Sequence, residues 1–405
     1  MRIDQVLART ISDTRGRPTV EVTFSANALS ATASVPSGKS TGSHEACELR
    51  DADGGVTRAI ENVNGEIARA LVGQRFSLDE LDAHLIELDG TPDKSRLGAN
   101  AILAVSIAAQ RLSALLEDVP LWKAIAKRVS TTPAAPRLYV NVMNGGVHVH
   151  PSVALAKGDR FPLPFQEYIL VVEGKTSEAL PTAREAFAKL GERLGPGVPM
   201  GDEGGYAPVF DTLEKPFELL VELVQQFPKT SIAIDAAASE LFHNGHYELL
   251  GKSYSAEELS KVYKELVARF PMHSIEDPFA EDASSDFARL TAALGQNILI
   301  IGDDLTVTNP TRIKEAVVNK EINAVIIKPN QIGTVREALE AVQITHDAGW
   351  KTIASHRSGE TSDTFIADFA YAIGAHGIKA GGLAQRERLE KYNRLLAIEH
   401  EAGAV

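Results

Sequence analysis

One cysteine among 405 residues, Cys47, excludes an intrachain disulfide and points to a reducing, cytoplasmic setting, with the thiol expected to be buried and inert. Long apolar runs are equally scarce. The longest, residues 99–109, is too short to cross a bilayer, and the opening Met1-Arg2-Ile3-Asp4-Gln5 lacks the apolar core of a signal peptide, so a soluble protein with no membrane partner is expected. Positive charge is in deficit. Forty-one Lys and Arg face 54 Asp and Glu, a formal net charge of −13, which repels a phosphate backbone and sets nucleic acid aside as a partner. A small anionic substrate remains open, because divalent cations held by some of those carboxylates would reverse the local sign of charge. No segment is of low complexity.

The chain is long enough for two or three domains. A proline-bearing linker at 131–136 places a smaller N-terminal α+β capping domain at 1–135 and a second, regular domain at 136–405. The first part opens with a strand-like 19–24 and passes a Ser/Gly-rich loop at 36–43 before turning helical. Residues 99–116 are apolar on nearly every face, as in a helix packed between other elements. From residue 231 onward, β-branched runs at 231–235, 273–277, 298–304, 322–328, 351–356 and 377–379 alternate with helical patterns. One of these, 256–270, follows Ser255 with Glu258 at capping-box spacing.

Each run ends on a functional side chain: Asp235, Glu276, Asp303 with Asp304, Lys328, His356 and Lys379, at intervals of 41, 27, 25, 28 and 23 residues. That is the rhythm of βα units. With two earlier strand candidates at 138–143 and 168–172 there are eight, enough to close a (β/α)8 or TIM-type barrel, whose strand ends converge on one catalytic face. A lone carboxylate at such an end is ordinarily a helix cap or solvated charge. Six polar endings in register are not, since strand interiors reject charge.

Three converging carboxylates without nearby cysteines favour a hard cation bound through oxygen, magnesium ahead of zinc. Lysines on that rim have two open roles, as a base with an eased proton or as a charged anion binder. Glu203 within 200–205 and Glu167 within 165–168 lie in short loops beside apolar runs, where a raised pKa would suit general-acid work; turn and cap roles compete equally. His148 and His150 form an H-x-H pair without an evident third ligand, so lid or substrate contact is expected rather than zinc. His243, His246 and His376 read as lone surface histidines. Residues 37–42 end like a phosphate loop, but Ala33 stands where the first glycine is needed and Pro36 interrupts the cradle.

Across essentially its whole length the sequence resembles enolase. The resemblance rests on 13–22 (DTRGRPTVEV), 36–42 (PSGKSTG), 201–205 (GDEGG), 274–279 (SIEDPF), 303–309 (DDLTVTN), 328–334 (KPNQIGT) and 355–361 (SHRSGET). It implies a barrel beginning ββαα, capped by the N-terminal domain. It also implies two Mg2+ per active site, the first on Asp235, Glu276 and Asp303, the second held through Ser40 and the substrate phosphate. Lys328 would be the base that takes the C2 proton of 2-phosphoglycerate, and Glu203, supported by Glu167, the acid that assists departure of the C3 hydroxyl. Lys379 would face the substrate carboxylate, Arg357 and Ser358 its phosphate, and His148 and His356 would complete the closed site. A glycolytic hydro-lyase and a homodimer follow from the same resemblance.

The chain departs from the family pattern in three places. Between His148 and Glu167 it carries a longer loop, 149–165, including His150, Lys157, Asp159 and Arg160. After Lys379 it reads Ala380-Gly381-Gly382-Leu383 in place of the usual Thr-Gly and following Pro. Ala397 and His400 replace the Arg and Glu that pair across the family's dimer with residues matching Glu21 and Arg9, so those bridges are not expected. The loop motivates an alternative: a paralogue that dehydrates a related phospho- or phosphono-acid in secondary metabolism.

Overall fold

Alternation in β2, Pro18–Ala26, buries Val20, Val22, Phe24 and Ala26 and turns Glu21, Thr23 and Ser25 outward. This strand is the centre of an antiparallel sheet with β1, Gln5–Ser12, and β3, Leu29–Ser34. Asn27 and Ala28 join β2 to β3 with φ of 51° and 63°, the left-handed pair whose twist suits a two-residue hairpin. The computed structural model describes residues 1–39, 41–149 and 161–403. Ser40, His150, Lys157, Asp159 and Arg160 lie outside the described residues.

Helix Ala99–Leu116 lies on this sheet, with helices Leu78–Asp89, Leu121–Val129 and Val335–Asp347 against its other sides. Being enclosed explains why its apolar residues are not confined to one stripe. At 18 residues it is long and apolar enough to cross a membrane, more than the sequence run suggested, but 78% of it is buried inside the protein as a core helix. Its Arg111 forks onto Asp363 at 2.6 and 2.7 Å, tying the helix to the barrel.

The barrel consists of β4 (Arg137–Asn144), β5 (Glu167–Val172), β6 (Thr230–Asp235), β7 (Met272–Glu276), β8 (Leu299–Gly302), β9 (Ala324–Ile327), β10 (Lys351–Ser355) and β11 (Gly377–Lys379). They pair in chain order and close through β11 on β4. All are parallel except β5, which runs against both β4 and β6. Helices Thr176–Leu194 and Lys215–Gln226 both fall between β5 and β6, giving the ββαα start. Tyr139, Ile169, Val171, Ala233, Ile301, Ala324, Ile326 and Ile353 fill the barrel interior as their own apolar cluster.

The helix read from the capping box spans Ala256–Arg269; Ser255 Oγ accepts the Glu258 N–H at 3.3 Å and the Glu258 carboxylate accepts the Ser255 N–H at 2.8 Å. No helix follows the phosphate-loop look-alike: among the described residues the next one starts at Thr57, and Lys39 donates instead to Asp202 at 2.5 Å. Two expectations need correction. Cys47 is half-buried rather than buried, although burial and the nearby Asp93 and Glu48 do raise its pKa. His376 is no lone surface residue: it precedes β11 at the barrel floor and stacks on His273, ring centroids 5.3 Å apart, whereas His243 and His246 are exposed.

Candidate active site

Parallel strands deliver their last residues to one rim. Asp235 ends β6, Glu276 ends β7 and Lys379 ends β11, while Asp303, Lys328 and His356 directly follow β8, β9 and β10. Asp235 and Glu276 are register partners. Since β5 runs the other way, its first residue, Glu167, reaches the same rim opposite Asn144 and Asp235. Glu203 arrives on the 201–205 turn, where the Gly382 N–H donates to its carbonyl at 2.7 Å. A Cβ on Gly382 would stand 2.2 Å from Gly204 O, so the altered 380–383 segment packs intimately on the turn that carries Glu203.

Most of these side chains line one open cleft, whose lining includes His148, Glu167, Glu203, Asp235, Asp303, Lys328, His356, Arg357, Ser358 and Lys379. Lys379 Nζ lies 2.9 Å from both Glu276 carboxylate oxygens, 3.3 Å from Asp235 and 3.4 Å from Glu167. Lys328 Nζ pairs with Asp303 Oδ2, whose other oxygen accepts from Gln331 Nε2 at 2.9 Å. Thr308 Oγ1 steadies this arm, donating to Gln331 at 2.8 Å and accepting the Lys328 N–H at 2.8 Å. Glu203 faces His356 Nε2 at 3.4 Å, His148 Nδ1 at 3.7 Å and Asn141 Nδ2 at 3.2 Å. Arg357 is held by both oxygens of Glu45, at 2.8 and 3.1 Å, and by Asn330.

Burial and crowding set the charges. Burial, then Asp235, pushes Glu276 well above the usual carboxylate range, and burial with the charge of Glu203 does the same to Glu167. Burial would also raise Glu203, but the facing His356 and His148 prevail and hold it well below that range. The two neighbouring carboxyls are thus pushed apart, Glu167 upward and Glu203 downward. Burial would lower Lys328 and Lys379, yet Asp303 raises the first, and Glu167 with Glu276 raises the second. Burial, with Glu203 opposing, pulls His356 down to about 4.

The donor set fits a hard cation. It is built of carboxylates, Asp304 is pushed up to about 8 by burial and by Asp303, and buried Glu167 Oε2 makes no hydrogen bond, with the Lys379 ammonium 3.4 Å away as its ion-pair partner. Among the described residues, the groups whose ligand atoms all lie within 4.8 Å of one another are His148–Glu167–Glu203 and Asp277–Asp303–Asp304. Of the expected ligands, only Asp303 is in such a group; Asp235 and Glu276 are bridged by the Lys379 ammonium instead. His148 therefore does have acidic neighbours, contrary to the expectation from its local sequence.

Sequence reasoning missed the residues that hold the site in place: Glu45 on Arg357, Gln331 and Thr308 around Asp303 and Lys328, Asp277 accepting the Asp303 and Asp304 N–H groups at 2.9 and 2.7 Å, and Arg388 against His356. Asp277 offered a signal, since it follows Glu276 at a strand end. Thr308 and Gln331 stand inside the 303–309 and 328–334 motifs, whereas Glu45 and Arg388 offered no signal.

A family model described as "Enolase, C-terminal TIM barrel domain" matches residues 133–405, and one described as "Enolase, N-terminal domain" matches residues 3–125. A curated relative from Methanopyrus kandleri, described as enolase, is 43% identical over 428 aligned positions that cover 100% of this chain and 97% of the relative.

Proposed function

The chain belongs to the enolase family and is a hydro-lyase of the phosphopyruvate hydratase type, and from that premise we propose that Lys328 and Glu203 carry the dehydration of 2-phosphoglycerate to phosphoenolpyruvate. Lys328 Nζ takes the C2 proton. The electron pair left on C2 then forms the C2=C3 double bond as the C3–O bond breaks, and the hydroxyl leaves as water with a proton from Glu203, which Glu167 resupplies. Asp235, Glu276 and Asp303 would hold one Mg2+, and Ser40 with the substrate phosphate a second. When bound, magnesium supplies positive charge that eases a second negative charge onto the substrate carboxylate and neutralises Asp303, which otherwise keeps Lys328 protonated. A Lys base with magnesium is a pattern of the enolase superfamily. Lys379 meets the substrate carboxylate, Arg357 and Ser358 its phosphate, and His148 and His356 close the acid side. We place the boundary between capping and barrel domains at 135/136. Glycolysis, the cytoplasm and a homodimer complete the proposal.

One observation carries the assignment: Lys328, paired with Asp303, and the adjacent carboxyls Glu167 and Glu203 line one cavity from separate elements of the barrel rim. The test is the magnesium-dependent rise of enol absorbance with 2-phosphoglycerate. A rate well above a Lys328→Ala control supports the reading; a rate no better than that control overturns it and favours a related phospho- or phosphono-acid.

A further inference from the structure

Arg388, on helix Arg386–Glu401, is fully buried, and its partners are all uncharged. Nε donates to Gln385 Oε1 at 2.6 Å, Nη2 to Asp202 O and Ser358 O at 3.1 Å each, and Nη1 to Arg357 O at 3.4 Å and to His356 Nδ1. Those contacts occupy every N–H a guanidinium has. A guanidinium cannot accept a hydrogen bond, so the His356 nitrogen facing it is bare, and the neutral ring carries its proton on Nε2, the nitrogen 3.4 Å from Glu203.

We propose that Arg388 is a positioning residue of the dehydration: by occupying His356 Nδ1 it fixes the Nε2–H tautomer and keeps the imidazole neutral, leaving the proton of the Glu167–Glu203 pair for the departing hydroxyl. This rests on Glu203 being the acid. An unconstrained imidazole, with a pKa near ~6.5, is more basic than a carboxyl near ~4.3 and would capture that proton. A second proton on His356 would have to point from Nδ1 into Arg388. The charged groups facing the ring are Glu203 and Glu360, which favour protonation, and Arg388, which opposes it together with burial; Lys391 answers Glu360 at 2.8 Å. In turnover the C2=C3 bond forms as the C3–O bond breaks, a proton relayed from Glu167 through Glu203 leaves with the hydroxyl as water, and the His356 N–H is unchanged. Arg388 also ties the Glu203 turn, through Asp202 O, to the 356–358 segment, so its loss would be felt structurally as well.

The deciding experiment reads the ring itself. In unmodified protein labelled with 15N-histidine, without substrate, His356 should show a bare Nδ1 and a protonated Nε2 from about pH 5 to about pH 8, with His356→Gln assigning the signal. A protonated Nδ1 in that range overturns the proposal. In Arg388→Met, kcat should fall about 10²-fold with little change in KM, and kcat/KM should gain an acid-side ionisation that stays below the free histidine value near ~6.5, because burial still opposes the charge. Adding Arg388→Met to His356→Gln, which has no tautomer, should add no ionisation. An unchanged pH profile in folded Arg388→Met overturns the proposal. If unmodified enzyme does not turn over 2-phosphoglycerate, the functional reading fails, while the tautomer measurement still decides the role of Arg388.

Discussion

Lys379 Nζ is equidistant, at 2.9 Å, from the two carboxylate oxygens of Glu276, and the same ammonium reaches Asp235 at 3.3 Å. One side-chain cation therefore neutralises two of the three expected magnesium ligands. Replacing Lys379 with Met strands those carboxylates, at a cost of about 3–5 kcal/mol for a broken buried pair. Added magnesium should recover much of that loss. Thermal unfolding of Lys379→Met with chelator and with magnesium checks this, and an equal deficit in both would mean that the metal sits elsewhere.

Glu203→Gln should separate the two halves of the reaction. Proton removal at C2 belongs to Lys328, so the variant should still exchange the C2 hydrogen of 2-phosphoglycerate for deuterium, while dehydration falls roughly 10²–10⁴-fold. Lys328→Ala should lose both. Proton NMR in deuterium oxide follows exchange and elimination together; loss of exchange in Glu203→Gln would reverse the assignment.

At the barrel floor, Arg137 donates toward His376 Nδ1 at 3.2 Å, and the two Nε2 atoms of His376 and His273 lie 3.0 Å apart. His376 thus carries its proton on Nε2 and gives it to a bare His273 Nε2. Burial, then Arg137, pulls His376 down to about 3. Because the folded value is depressed, the unfolded chain binds the proton first, and stability is lost as pH falls below the unfolded value near ~6.5. His376→Asn should flatten that limb by less than ~1.4 kcal/mol per pH unit, since part of the ring faces solvent. Urea midpoints of both proteins between about pH 5 and about pH 7 provide the check.

Asp363 accepts both arms of Arg111 as well as the Ser34 and Phe365 N–H groups at 3.0 and 2.8 Å. Burial would raise its pKa, but Arg111 outweighs burial and lowers it. The carboxylate therefore stabilises the fold above the unfolded value near ~3.9, and that contribution is lost as pH falls through the folded value. Asp363→Asn should cost on the order of 3 kcal/mol at neutral pH, with much of the difference gone in acid. Urea unfolding at the two pH values measures it.

Barrel strands were legible because their signal is local. A short β-branched run ending on a polar side chain needs no distant partner to be recognised, and the runs ending at Asp235, Glu276, Lys328 and Lys379 correspond to β6, β7, β9 and β11. The capping box at Ser255 and Glu258 was legible for the same reason. β1 and β3 carried a weaker pattern: Gln5–Ser12 exposes Gln5, Leu7, Arg9, Thr10 and Ser12, so little of it reads as a strand.

The supporting contacts were not legible, because each joins positions far apart in the chain. Glu45 lies 312 residues from Arg357, and Arg388 sits in a helix rich in Arg, Glu and Lys, where a charge ordinarily faces water. His376 misled for the same reason: nothing beside it in sequence announces His273, 103 residues away. Arg9 and Glu21, read as partners of a second subunit in the family pattern, here meet each other at 2.5 Å across β1 and β2.

The reversed direction of β5 bears on how this enzyme can diversify. In a βα unit the segment leaving the catalytic rim must feed a helix that returns to the far end, so extra residues there have to respect the start of that helix. The connection between Asn144 and Glu167 is tethered at both ends to the same rim, on neighbouring strands whose register is set below it. A lineage can lengthen or rewrite this stretch as a cassette while the barrel stays as it was. Leu163 and Phe165 at its end are buried in the core, so mutational libraries in 149–165 that keep these two residues should yield a higher fraction of folded variants than libraries that change them, with selection then acting on substrate choice.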